Sequence, residues 1–264
     1  MAEGYGHFMK KKELEEILQD AEMLLVGIGE EFGRADELRS NEAYAEMCRQ
    51  AANEDAQWAV PYFNRRFLKK DEQLMEAYRK LGELLQGKNY FVITTCMDGL
   101  IETAGLRNDR VTTPCGSYNR LQCGRGCAGS VIPTDHDFTE ILETIIKGGK
   151  EWNAIDRPCC RICGAPMEYN TLYAEHYMEE GYEKSWHTYM KWLQSTLNRR
   201  LCILELGADM MFAGVLRFRF EKMISLNQKA KLLRVHGRLH QLPAEIAERG
   251  MGISQNAVDF MAKM

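Results

Sequence analysis

The stretch NYFVITTCMDG, residues Asn89–Gly99, decides the fold. Its first half, Tyr90 to Thr95, is apolar, aromatic or β-branched with almost no polar interruption, which is typical of a strand buried on both faces of a parallel sheet. Its second half turns polar at once. Because ligands of open α/β sheets bind beyond the carboxyl ends of the strands, the hydroxyls, thiol and carboxylate there mark a candidate site.

Three further stretches predict buried strands of the same sheet: LLVGIG at 24–29, LCILELG at 201–207 and KLLRVHG at 231–237. Segments with helical spacing separate most of them, among them residues 10–23 and the region from 34 to 86, where we expect no strand. Within that region Asp71 is placed to cap a helix that reaches Gln86, and Gly87 is a stop signal. The fold class that follows is α/β, with a Rossmann-like doubly wound parallel sheet and a helical insert.

A glycine turn, Gly27-Ile28-Gly29, ends the first of these strands. Strand, glycine turn and helix is the arrangement that binds phosphate in dinucleotide folds, although many tight turns look the same. Two acids, Glu30 and Glu31, follow at once. Since a helix N-terminus attracts negative charge, they either cap the helix themselves, repel a dinucleotide, or point to water as ordinary first-turn residues. Arg34 offsets part of the repulsion if it folds back.

Composition places the chain among ordinary globular proteins. Its 264 residues, 45% hydrophobic and 27% charged, hold one large α/β domain or a domain with a small insert. The net charge of -4 argues against a general nucleic-acid binder, and no apolar run reaches the ~18 residues of a membrane span. The first residues lack the basic-then-apolar order of a signal peptide, so we expect a cytoplasmic protein.

Nine cysteines are many for that compartment, where disulfides are rare, and they raise the question of metal ligation or thiol chemistry. The region from Val111 to Trp192 is loop-rich and carries two short pairs, Cys123-x3-Cys127 and Cys160-x2-Cys163. Four thiolates at these spacings suit a tetrahedral zinc ion, and they leave no open position for a substrate, so the zinc is expected to be structural. Cys159 is the alternative to Cys160, and buried free thiols are the alternative to the metal.

The order of these motifs has a family likeness. The glycine turn is followed by a helical region, FVITTCMDGL at 91–100, Cys115-Gly116-Ser117 with Cys123 in register, the second cysteine pair, and LELG at 204–207. This order resembles that of the sirtuins. FVITTCMDGL looks like the sirtuin TTNxDGL block, and Cys115-Gly116-Ser117 looks like the sirtuin HGS block. The closer resemblance is to the macrodomain-linked bacterial sirtuins, and it spans nearly the whole chain, through residues 55–66, 88–95, 118–123, 163–170, 204–207 and 216–222.

The resemblance implies that NAD binds between a Rossmann-like part and a small zinc-binding part. Nicotinamide then leaves, and an acyl-lysine oxygen or a protein side chain attacks the ADP-ribosyl carbon. It also implies a protein substrate, which in the macrodomain-linked branch is a lipoyl-carrier protein. The residues expected to bind the cofactor are Gly27, Gly29, Thr94, Thr95, Asp98, Gly207 and His236.

The chain departs from the family at the positions that carry the chemistry. Cys96 stands where sirtuins have asparagine, and Cys115 where they have histidine or, in the macrodomain-linked branch, glutamine. The branch's arginine is missing near Asn170–Tyr173, the turn after the third strand reads Gly207-Ala208-Asp209, and His236 replaces an asparagine that faces the adenine ribose.

Cys96, Cys115 and Asp98 are the expected catalytic residues, each with an ordinary alternative. The two thiols either fill space or share one pocket and carry redox or nucleophilic chemistry; Cys115 acts as a base only if its pKa falls below the ~8.5 of a free thiol. Asp98 either orients a ribose or a nicotinamide amide, or caps the turn that follows it.

The leading interpretation is a divergent sirtuin-like NAD-dependent transferase that ADP-ribosylates or deacylates a protein side chain. The alternatives are a catalytically silent NAD or ADP-ribose sensor or scaffold, and an enzyme with a changed, thiol-based mechanism. We expect Rossmann-like parts at about 10–34, 82–118 and 193–264, a helical insert at about 35–81 and a zinc-binding part at about 119–192.

Overall fold

A computed structural model describes residues 12–53, 56–134, 143 and 157–264. Its main sheet has six strands, all parallel, in the order β3-β2-β1-β7-β8-β9, and a second, antiparallel sheet has the order β5-β4-β6. The strands are β1 (Met23–Ile28), β2 (Tyr90–Thr94), β3 (Val111–Thr112), β4 (Gly116–Cys123), β5 (Ile132–Pro133), β6 (Met167–Thr171), β7 (Leu201–Leu206), β8 (Lys231–Val235) and β9 (Gly250–Ile253).

The centre of the main sheet confirms the predicted fold class. Every residue of β1, β2 and β7 is buried, as a parallel sheet covered on both faces requires. At the sheet centre Val26 pairs with Val92 on one side and with Leu204 on the other. The chain first builds outward from β1 through β2 to β3 and later outward through β7 to β9, so the strand order reverses at β1. Ligand crevices of doubly wound sheets form at such a reversal.

Helices cover both faces of the main sheet. They are α1 (residues 12–20), α2 (Ala35–Ser40), α3 (Glu42–Asn53), α4 (Val60–Leu68), α5 (Glu72–Leu85), α6 (Glu183–Gln194), α7 (Arg217–Leu226) and α8 (Ala257–Ala262). α1, α5 and α8 pack on the face that carries Val26 and Leu204, and α6 and α7 pack on the face that carries Leu25 and Ile203. The Asp71 carboxylate caps α5 by accepting from the Leu74 N–H at 2.9 Å, as predicted.

The small sheet packs against the helical insert. Leu121 of β4 and Met167 of β6 share a core with Phe63 of α4 and Ala51 of α3. This core holds the cysteine-bearing segments beside the main sheet. The boundaries proposed for the three parts stay a prediction.

Three elements differ from the sequence expectations. β3 and β9 extend the main sheet at its two edges, but two and four residues are too short for a periodic pattern. The region read as loop-rich contains α6, whose Tyr189 and Trp192 face the core. Pro61, within the helical insert, lies in the first turn of α4, where its missing N–H costs nothing. Among the described residues no helix is long and apolar enough to cross a membrane.

Candidate metal centre and nucleotide crevice

The four cysteines predicted to bind zinc come together at one end of the small sheet. The Sγ atoms of Cys123, Cys127, Cys160 and Cys163 all lie within 4.8 Å of one another. Cys123 ends β4, and its Sγ lies 3.5 Å from that of Cys163. Cys159 is exposed and lies outside this group. A separation of this size is what four ligands around one tetrahedral zinc ion require.

Backbone N–H groups already point at two of these sulfurs. The Arg125 N–H donates to Cys123 Sγ at 3.3 Å, and the Ile162 N–H donates to Cys160 Sγ at 3.4 Å. The Cys127 N–H contributes most to lowering the pKa of Cys123 to about 6. N–H donors stabilise the thiolate, which is the form that binds a metal, so the donor set fits zinc.

The second candidate site is the crevice where β1, β2, β7 and β8 end. Adjacent parallel strands bring their following residues to one edge, so the segments after Ile28, Thr94, Leu206 and Val235 meet there. Backbone hydrogen bonds tie them together: the Gly29 N–H donates to Leu206 O at 2.8 Å and the Thr95 N–H to Ile28 O at 3.0 Å. The predicted nucleotide-binding residues thus lie near the ends of strands that share this edge or in the segments that follow them.

Glu30 turns into this crevice. Its carboxylate accepts from the Thr95 hydroxyl at 2.8 Å and from the Asp209 N–H at 2.8 Å. Burial raises the pKa of Glu30, and the Asp209 N–H opposes that shift. Glu30 therefore bridges the segments that follow β2 and β7.

Glu31 likewise bridges two segments of the crevice, those that follow β8 and β9. Its carboxylate accepts from the Gly237 N–H at 2.9 Å and from the Ala257 N–H at 2.8 Å. His236 Nδ1 lies 3.1 Å from this carboxylate and accepts from the N–H groups of Arg238 and Leu239. Burial lowers the pKa of His236.

These contacts distinguish among the alternative roles predicted for Glu30 and Glu31. The segment after Gly29 is a single 3-10 turn, Glu30–Gly33, and neither carboxylate caps it or points to open water. Arg34 does not fold back: its guanidinium pairs with Asp71 at 2.8 Å and with Glu37 at 2.9 Å. A diphosphate bound at this edge of the sheet would meet donors that the chain's own carboxylates already hold.

The crevice glycines are required by close packing. An ideal Cβ on Gly27 would lie 2.3 Å from the Phe220 ring, and one on Gly29 would lie 2.3 Å from Ala208 Cα. Gly207 has φ +65 and faces the Glu31 side chain. The geometry shows why these positions are glycine, and contact of any of them with a cofactor stays a prediction.

The two thiols at predicted catalytic positions are both buried. Cys96 Sγ donates to Gly29 O at 3.1 Å, and Cys115 is fully buried. Burial raises the pKa of Cys115 to about 12 and that of Cys96 well above its ordinary value, and the nearby Glu30 adds to both shifts. A smaller contribution to the raised pKa of Cys96 comes from the neighbouring Cys115. At neutral pH both are neutral thiols.

Asp98 and Thr94 hold the polar end of β2 in place. Asp98 is 4% exposed, and its Oδ1 accepts from the Leu100 N–H at 2.7 Å, so it caps the turn at Leu100–Ala104. Burial raises the pKa of Asp98 to about 6. The Thr94 hydroxyl accepts from the Cys96 N–H at 3.0 Å. The capping role is present, and a role toward a ribose or an amide stays a prediction.

A buried ion network under the crevice was not predicted from the sequence. Arg234 of β8, 0% exposed, donates to both carboxylate oxygens of Glu205 on β7, at 2.7 and 3.0 Å, and to Glu221 at 2.8 Å. Arg217 completes it, donating to Ala208 O at 2.8 Å and to Leu239 O at 3.0 Å. The signal was available: Glu205 and Arg234 each interrupt an apolar strand, and they pair in register.

Solved structures of sirtuins have a fold similar to that of this chain. A Sir2 enzyme bound to a propionylated peptide matches with a TM-score of 0.55 and 18% identity, covering 96% of each chain. A Sir2 enzyme with a p53 peptide and NAD+ matches with a TM-score of 0.55 and 15% identity, covering 96% of this chain and 95% of the other. The chain thus has the sirtuin fold, and the resemblance drawn from the sequence is confirmed at that level.

Two curated relatives are similar in sequence. A protein of Fusarium oxysporum f. sp. cubense, named as a probable bifunctional ADP-ribose hydrolase/ADP-ribosyltransferase, is 29% identical over 171 residues. A protein ADP-ribosyltransferase of Staphylococcus aureus (strain Mu50) is 24% identical over 192 residues. The matches cover 62% and 70% of this chain but only 29% and 59% of those proteins. No protein-family model matches the chain.

Proposed function

We propose that the protein is an NAD-dependent transferase that ADP-ribosylates a protein side chain. The observation that carries the proposal is the sirtuin fold over 96% of the chain, with a crevice where the strand order reverses. Both curated relatives carry names for ADP-ribosyl transfer, which favours this activity over deacylation. NAD would supply the ADP-ribosyl group.

The residues proposed for the nucleotide are those around the crevice: Gly27, Gly29, Thr94, Thr95, Asp98, Gly207 and His236. Asp98, Cys96 and Cys115 are the proposed catalytic residues, because Cys96 and Asp98 follow β2 and Cys115 immediately precedes β4. One structural zinc ion, bound by Cys123, Cys127, Cys160 and Cys163, would hold the small sheet in shape.

The proposed acceptor is a protein. Two of the similar Sir2 structures contain peptides, a propionylated peptide and a p53 peptide, and a protein acceptor for this chain is inferred by analogy. A lipoyl-carrier protein is the acceptor suggested by the resemblance to macrodomain-linked sirtuins.

The experiment follows nicotinamide release from NAD alongside calorimetric titration with NAD and with ADP-ribose. Release of nicotinamide, faster with an acceptor protein present, supports the transferase. Binding of NAD without any release over hours contradicts it. Mass spectrometry of the acceptor separates ADP-ribosylation from loss of an acyl group.

A catalytically silent nucleotide sensor or scaffold is the second candidate, and Cys115 is the observation that favours it. A general base works best when its pKa lies near the working pH, whereas burial raises the pKa of Cys115 to about 12. Binding without release supports this candidate. A thiol-based mechanism is tested by labelling: Cys96 and Cys115 should be protected by nucleotide, and equal labelling with and without it excludes that mechanism.

A further inference from the structure

Four hydrogen-bond donors at the edge of the main sheet converge on two side chains of this chain. They are the N–H groups of Asp209, Gly237 and Ala257 and the hydroxyl of Thr95, and their acceptors are the carboxylates of Glu30 and Glu31, at 2.8 to 2.9 Å. The donors follow β2, β7, β8 and β9, whereas both acceptors follow the central strand β1. The two carboxylates therefore lie across the place where a doubly wound sheet receives its ligand.

The charge of this pair equals that of a dinucleotide diphosphate, which carries one negative charge on each phosphate. Carboxylate and phosphate oxygens seek the same donors, namely backbone N–H groups and hydroxyls. One donor set cannot satisfy both anions, and two anions in a half-buried crevice repel each other strongly. Glu31 is 15% exposed, so little water screens it.

One ring nitrogen of a neighbouring histidine has no hydrogen-bond partner within the described part of the chain. His236 is 4% exposed, and its Nε2 is buried without a hydrogen bond, while Nδ1 is held by two backbone N–H groups. A buried ring nitrogen in this state costs free energy unless a ligand contacts it in another arrangement of the crevice.

The backbone at Glu30 and Glu31 is anchored in the hydrophobic core by the next residue. Phe32, in the same turn, is fully buried, and its ring lies 5.3 Å from that of Tyr78 on α5. Rotation of the Glu30 and Glu31 side chains, without movement of the backbone, is then the way by which the donors become free.

We propose that Glu30 and Glu31 determine ligand access: their carboxylates take the place of a ligand's diphosphate and keep the crevice closed to nucleotides until they rotate away. The inference rests on the proposed function in that it takes the crevice to be a nucleotide site. It concerns binding, and it holds or fails whether or not the bound nucleotide is turned over.

The test compares the wild-type chain with the double variant E30A/E31A by calorimetric titration with NAD, ADP-ribose and inorganic pyrophosphate. Removal of both carboxylates should tighten the binding of all three by at least about tenfold, because the competing charge is gone. The matched control is E13A/E15A, which removes the same charge from the exposed side of α1 and should leave binding as in the wild type. Circular dichroism shows whether each variant is folded.

The variant E30Q/E31Q keeps the size of both side chains and replaces the first variant if that one fails to fold. Its side chains are uncharged and each keeps one accepting oxygen in place of two, so its affinity should also exceed that of the wild type. Tighter binding without nicotinamide release supports the inference and contradicts the transferase. Equal affinity of the wild type and the folded variant overturns the inference, even where nicotinamide is released.

Discussion

The cysteine cluster and the crevice are built from opposite kinds of arrangement. In the cluster, four sulfurs converge within 4.8 Å and two of them receive backbone N–H groups, so negative charge is gathered as if for a cation. In the crevice, N–H and hydroxyl donors converge, but the carboxylates of Glu30 and Glu31 already satisfy them. The cluster has the arrangement of a metal site, whereas the crevice donors are satisfied by acceptors from within the chain.

The difference teaches that a fold and a ligand site are separable. The fold matches that of sirtuins over 96% of the chain, yet two acids, Glu30 and Glu31, follow the glycine turn after β1. Retention of a scaffold under altered chemistry is a common outcome, and function has to be argued from the site itself. The following experiments test each half of this contrast.

The largest effect is expected at the metal centre. Cys160→Ser should abolish the binding of one zinc ion per chain, while the adjacent control Cys159→Ser should retain it, because Cys159 lies outside the cluster. Structural zinc contributes roughly 10 kcal/mol to the folding of small zinc-finger peptides, so the small sheet should lose most of its stability. Elemental mass spectrometry and thermal unfolding measure the two effects. Equal zinc content in both variants would show that this cysteine set does not hold the ion.

A smaller loss is expected below the crevice. Arg234→Met leaves the Glu205 carboxylate buried without its bidentate partner, which should lower the free energy of unfolding by about 3–5 kcal/mol. Lys231→Met, on the same strand but exposed, is the control and should change little. Urea denaturation gives both values. A loss of unfolding free energy as small as that of the control would mean that the ion network does not stabilise the fold.

The smallest of these effects has a magnitude that depends on pH. Burial raises the pKa of Asp98 from 3.8 to about 6, so the folded state binds this proton more tightly than the unfolded state. The contribution of Asp98 to stability is therefore highest below pH 3.8 and falls as the pH rises towards about 6.

Asp98→Asn removes this charge and keeps an oxygen that can accept from the Leu100 N–H. It should stabilise the protein at neutral pH by on the order of 2 kcal/mol, with the gain vanishing near pH 4. Denaturation curves at both pH values check it, with the exposed Asp109→Asn as the control. A gain in stability that does not change with pH would show that the pKa of Asp98 is not raised in the folded state.

Several parts of the molecule could be read from the sequence because their signals are local. The continuous apolar runs of β1, β2 and β7, the cap at Asp71 and the spacing of the cysteine pairs each lie within a few residues of the structure they produce. The short edge strands offer too few residues to show a period.

The hydrogen-bond partners of Glu30 and Glu31 could not be predicted in the same way. Their partners Asp209, Gly237 and Ala257 lie 179, 206 and 226 positions further along the chain. Only the folded sheet brings these N–H groups beside the first glycine turn. Sequence reasoning therefore found the two acids and the doubt that they cast on dinucleotide binding, but not the donors that hold them.

Amide hydrogen exchange at residues 207–211 and 235–239, followed by mass spectrometry, tests the central claim most directly. In the wild type the Asp209 and Gly237 N–H groups should be protected without any ligand, because Glu30 and Glu31 accept from them. In E30A/E31A both segments should exchange faster, and added NAD should restore the protection. If exchange in these segments is the same in the wild type and the variant, the carboxylates do not close the crevice and the account is wrong.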